Sequence, residues 1–206
     1  MNMKPIVRFS LLLVGCVLIA CGNKTAPQPE ETSVDYDAIV TKELPSVESF
    51  AELVNNFQTA TEQLVPTGTN FDQNEVKIKG VLEPLGFQVS RNDDLGFSIR
   101  AAKNCRVSGD FDPIIEPVNA DSLSAGICFI SCGDMYVKGE IVVGDTCIYN
   151  VLLDKVKAAG YQYVTNDVSE DPTEEKYDKG YYYFLCNKKR KSIALHYDQM
   201  KRYEQQ

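Results

Sequence analysis

Two stretches of this chain repeat each other, and that repeat restricts the fold more than any other feature. Gly86-Phe87-Gln88-Val89-Ser90-Arg91-Asn92-Asp93 stands beside Gly160-Tyr161-Gln162-Tyr163-Val164-Thr165-Asn166-Asp167. Glycine, an aromatic ring, glutamine, asparagine and aspartate recur at the same offsets. An apolar pattern of helical spacing precedes each stretch. Before the first it is Ile78, Val81, Leu82 and Leu85, with a start at Asp72 and an end set by Pro84 and Gly86. Before the second it is Ile148, Val151, Leu152 and Val156, capped by Asp145 or Thr146 and closed by Gly160. After each Asn-Asp a loop leads to a new start, Gly96-Phe97 and Gly180-Tyr181, so each unit reads as helix, strand, loop, strand. The first loop is only Asp94-Leu95, whereas the second runs through the acidic stretch Val168 to Lys179.

Other segments fill in around the units. Val47, Phe50, Leu53, Val54, Phe57 and Leu64 predict a further helix, with Ser46 or the Ser49–Glu52 box as its cap. Strands are expected over 126–130 and 135–143, joined at Cys132-Gly133-Asp134, and over Ser192–Tyr197 after the Asn187–Lys191 turn. The fold class is α+β, an antiparallel sheet with helices on one face and two tandem helix-strand-strand units. The units span about 71–104 and 145–198, with linking strands over 125–143, inside a body of 46–206. This order of elements resembles the tandem helix-and-hairpin domains of PepSY-like and β-lactamase-inhibitor-protein-like secreted proteins. The resemblance implies a binding or inhibitory module.

The start of the chain reads as an address. Lys4 and Arg8 precede an apolar run, Leu11 to Ala20. A helix of about ten residues rises roughly 15 Å, half of the ~30 Å hydrocarbon core, so the run suits a secretory signal and not a membrane span. Its end, Leu18-Ile19-Ala20-Cys21, resembles the lipobox of bacterial lipoproteins. That resemblance implies removal of residues 1–20, acylation of Cys21 and attachment to the cell envelope by lipid, with the outer membrane as the expected site. Residues 21–45 carry Pro27, Pro29, Pro45 and several acids with few large apolar groups, the composition of an extended tether reaching at most about 75 Å.

Charge and residue inventory narrow the chemistry. The net charge is -8, which argues against nucleic acid as a partner. One histidine, His196, excludes His-rich zinc sites and HExxH chemistry. Cys105, Cys128, Cys132, Cys147 and Cys186 are odd in number, so they pair incompletely or serve as small buried hydrophobes. No metal or cofactor pattern is present. His196 reads as structural, Lys188-Lys189-Arg190-Lys191 as a solvated turn, and Asp171, Glu174, Glu175 and Asp178 as an acidic loop without calcium spacing. Tyrosines crowd the last quarter of the chain. Tyr181, Tyr183 and Tyr163 are the candidate ligand-binding residues, since Tyr181 and Tyr183 share one face if they lie on one strand. The alternative is that these rings pair across strands and stabilise the sheet. The expected function is a non-enzymatic binding module whose partner is an envelope protein or a glycan. The alternatives are a structural or assembly accessory of the outer membrane, and an envelope enzyme.

Overall fold

The computed structural model describes residues 33–62, 68–92, 97–109, 112–119, 122–131, 137–164, 171–198 and 201. The signal segment, Cys21 and the Cys132-Gly133-Asp134 turn lie outside them. Among the described residues the α-helices are α1 (Tyr36–Glu43), α2 (Val47–Glu62), α3 (Gly68–Leu82) and α4 (Thr146–Ala158), and a short 3-10 turn over Glu83–Leu85 follows α3. Ten strands accompany them: β1 (Gln88–Asn92), β2 (Phe97–Lys103), β3 (Cys105–Ser108), β4 (Ile114–Pro117), β5 (Ala125–Ser131), β6 (Val137–Val143), β7 (Gln162–Tyr163), β8 (Glu174–Lys179), β9 (Tyr182–Asn187) and β10 (Ser192–Tyr197). Eight strands make one antiparallel sheet in the order β1-β2-β5-β6-β10-β9-β8-β7, and β3-β4 form a separate hairpin. The fold is α+β with an antiparallel sheet and packed helices.

Strand order shows how the repeat is used. β1-β2-β5-β6 and β7-β8-β9-β10 are both four-stranded meanders, each preceded by a helix, and they meet edge to edge at β6 and β10. At that joint Ile141 pairs with Ile193 and Gly139 with Leu195, around a central pair of Glu140 and Ala194. The first edge pairs Gln88 with Ala102 and the second pairs Gln162 with Asp178. The registers thus correspond under an approximate two-fold axis through Glu140 and Ala194. Each unit has four strands, not two. The segment 125–143 is the second half of the first meander, not a linker. Glu174–Lys179, expected as loop, is strand β8. Its charged residues hid the alternation that buries Tyr177.

Both repeat glycines end a helix in the left-handed region, Gly86 at φ 85° and Gly160 at φ 90°. A conformation that a side chain disfavours is why glycine recurs there. The next ring, Phe87 or Tyr161, turns into the core. A lysine then completes each corner. Lys103 Nζ donates to the Leu85 carbonyl at 2.6 Å and lies over Phe87, and Lys179 Nζ donates to the Ala159 carbonyl at 2.6 Å and lies over Tyr161. The cation neutralises carbonyls that a helix end leaves unpaired.

The core lies between one sheet face and α2, α3 and α4. Phe50 on α2 is fully buried over the joint, with ring centroids 6.1 Å from Phe129 and 6.4 Å from Phe184. Gly139 lets it approach, because a Cβ there would stand 2.5 Å from Val54 Cγ2 and 3.1 Å from Phe50. Ser46 caps α2, its Oγ accepting from the Ser49 amide at 3.1 Å, and Asp145 caps α4. The α3 helix begins at Gly68, a full turn before the expected Asp72.

The body starts earlier than expected. The composition predicts a tether over residues 21–45, yet the compact unit begins at Asp35, and α1 buries Val40 while Leu44 and Pro45 follow it inward. Asp35 caps α1 by accepting from the Ala38 amide at 3.0 Å. Val40 and Leu44, one helical turn apart, form an apolar stripe too narrow to stand out among the acids. No described helix is long and apolar enough to cross a membrane.

Candidate functional site

The three candidate tyrosines do not converge. Tyr181 falls in the two-residue turn Gly180-Tyr181, where Gly180 has φ 63°, and not on a strand beside Tyr183. Its ring is 6.2 Å from Tyr197. Tyr163 pairs with Tyr177 across β7 and β8, centroids 5.6 Å apart, on the helix-covered face. Tyr183 lies on the opposite face, stacked at 5.0 Å and 4° on His196, its partner on β10. Tyr182 faces Tyr197 across the same strands. Three of these four tyrosine contacts are direct cross-strand pairs, the sheet-stabilising alternative.

The helix-free sheet face is a structural seal over its first half. Gly126 has no Cβ because Ile115 and Val107 of the β3-β4 hairpin occupy that place. Arg100 Nη2 donates to the Gly109 carbonyl at 2.7 Å. Arg190 reaches Asp112 at 3.0 Å and the buried Glu140 at 3.5 Å, and Lys138 lies 2.9 Å from Glu140. Two cations of the basic turn are therefore not solvated as expected: Arg190 latches the hairpin and Lys191 donates to the Gly144 carbonyl.

Titratable groups on the two sheet faces are set for packing, Cys186 on the helix-covered face and Cys128 and His196 on the other. Burial pushes the thiols of Cys186 and Cys128 up to about 12 and about 11, so both stay protonated. Cys105, Cys128, Cys147 and Cys186 are free thiols, and Cys132 lies outside the described residues. Burial, reinforced by Lys138 and Lys176, lowers His196 to about 4. An unfolded histidine titrates near ~6.5, so the imidazole is neutral in the fold at pH 7. Because the folded value is the lower one, the stabilisation is complete above pH ~6.5 and is lost as pH falls toward about 4. Between pH ~7.5 and ~4.5, urea unfolding should show the wild type losing about 2–3 kcal/mol more than His196→Gln. Equal losses in the two proteins would contradict a buried neutral imidazole.

An open concavity lies elsewhere, between α1 and the start of α4. A cleft of about 400 Å³ is walled by Tyr36 and Ile39 of α1, by Ile148 and Asp145 at the start of α4, and by Pro117, Asn119 and Ser122 to Ser124. Its outer wall depends on Asn104, a non-glycine residue at φ 52°. The Asn104 carbonyl accepts from the Val118 amide at 3.0 Å and from Ser124 Oγ at 2.9 Å, while its side-chain amide donates to the Leu123 carbonyl at 2.9 Å. Asparagine tolerates the left-handed region, so one residue shapes the whole wall.

The inner wall is fixed by charge. Lys155 of α4 holds Asp37 at 3.0 Å and Thr41 at 3.3 Å, and Lys103 holds the Glu43 carboxylate. That contact keeps the Glu43 carboxyl below the usual carboxylate range. Cys147 and then Asp145 beside Tyr36 raise its phenol pKa. The lining combines apolar Ile39, Leu123 and Ile148 with the hydroxyls of Tyr36, Ser122 and Ser124, a surface suited to a neutral, partly polar ligand. None of these residues was singled out from the sequence as a ligand contact. The available signals were Asp35 as a cap and Asn104 between two strands.

Among the described residues no His, Cys, Asp or Glu groups cluster so as to hold a metal ion. Comparison with protein-family models, with curated proteins and with solved structures returned no match to this chain.

Proposed function

We propose that this chain is a lipid-anchored cell-envelope protein whose body is a non-enzymatic binding module, with the α1–α4 cleft as its ligand site. The observation that carries the reading is the position of α1. It is the first described helix after the lipobox and tether, and it forms one wall of the cleft. Anchor, tether and ligand wall thus follow one another along the chain. The resemblance to secreted helix-and-hairpin binding modules points the same way, and a glycan or an envelope-protein segment has the mixed polarity of the lining.

The cleft can be blocked without disturbing the core, because Ser122 lies at its rim with its Oγ 3.4 Å from the Asn119 carbonyl. Envelope glycans and envelope proteins screened against the full chain in detergent should yield a ligand that Ser122→Trp weakens at least about tenfold, a change of ~1.4 kcal/mol, at unchanged melting temperature. A ligand held equally well by Ser122→Trp would move the binding site away from this cleft.

A further inference from the structure

We infer that the Lys179 corner is a docking point for the acidic end of a helix supplied by a partner protein. The argument is a comparison between the two units and does not depend on the cleft. In the first unit, the Lys103 ammonium has three acceptors: the Leu85 carbonyl, the Glu43 carbonyl at 3.4 Å and the Glu43 carboxylate. The last residue of α1 has docked there, and only 11% of the Lys103 side chain stays exposed. In the second unit, Lys179 keeps the same carbonyl contact, the same left-handed glycine and the same ring beneath it. Among the described residues no carboxylate pairs with it, and it is exposed. An ammonium has three donors, and the Ala159 carbonyl takes one of them.

The surroundings suit a helix end carrying both an acid and an apolar residue, as Glu43 and Leu44 do in α1. Tyr181, 36% exposed, follows Lys179 by two residues, and Tyr163, 56% exposed, sits on the neighbouring edge strand. Large exposed rings on the following turn and on the neighbouring strand offer apolar contact beside charge complementarity. This gives the exposed candidate tyrosines a shared role that the strand argument did not supply.

The test uses the full chain in detergent and a labelled, end-blocked peptide with the sequence of residues 35–45. Fluorescence polarisation should show saturable binding, weakened at least about fivefold both by Lys179→Met in the protein and by Glu43→Gln in the peptide. Zero-length coupling of carboxylate to amine should map the peptide to Lys179. The peptide change leaves the protein untouched, so the result does not depend on the stability of Lys179→Met. Absence of saturable binding at millimolar peptide, equal binding of the two peptides, or coupling only to other lysines would each overturn the inference.

Discussion

Replacing Phe50 by alanine should remove about 3–5 kcal/mol of stability, the cost of emptying a large, fully buried aromatic site. Single domains hold only ~5–15 kcal/mol in all, so Phe50→Ala should lie close to unfolding at ordinary temperature. The reason is position as well as size. Phe50 sits over the joint between β6 and β10, touching Phe129 of one unit and Phe184 of the other. Its loss weakens the β6–β10 ladder that joins the two meanders. Phe50→Leu, which keeps more of the volume, should cost about half as much or less. Gly139 provides a second probe of the same spot. A methyl group there meets Val54 Cγ2 at 2.5 Å, so Gly139→Ala should destabilise, and Val54→Ala should restore part of the loss. Urea unfolding of the four variants and the double variant measures both effects. Strict additivity of Gly139→Ala and Val54→Ala would mean that the close approach does not limit this site.

The second large effect concerns attachment. Cys21→Ala should move the protein from the membrane fraction to the soluble fraction of bacterial cells. Each buried methylene contributes about 0.8 kcal/mol, and a single acyl chain gives only reversible binding, so the several chains proposed on Cys21 would hold the protein firmly. The acidic body offers no electrostatic replacement, since a chain with a net charge of -8 is repelled by an anionic surface. Retention of Cys21→Ala in washed membranes would point to a partner-based attachment.

The sequence exposed the features that recur and hid those that occur once. The repeated Gly-aromatic-Gln pattern located two helix ends, two buried rings and two edge strands, because left-handed glycine and an inward ring leave a plain trace. Strand β8 was hidden, since a strand covered on one side by only the two residues of β7, with solvent on one face, carries charge where a central strand carries Val or Ile. Helix α1 was hidden by length: eight residues with one buried position look like a tether until Asp35 is seen as a cap. The cleft was the least legible part. It depends on Asn104 in the left-handed region and on lysines that reach across 60 and 114 residues to α1, which no local pattern records. The tyrosine platform failed because the strand after Gly180 starts one residue later than the argument needed, leaving Tyr181 in the turn and Tyr183 on the other face.

The central claim joins an anchor, a short tether and a body that begins at Asp35. The mass of the amino-terminal peptide of the mature protein, purified from bacterial membranes, tests it most directly. The account predicts a chain that starts at Cys21 and carries acyl lipid on that residue. A chain that retains Met1, or one that starts elsewhere without lipid, would contradict it.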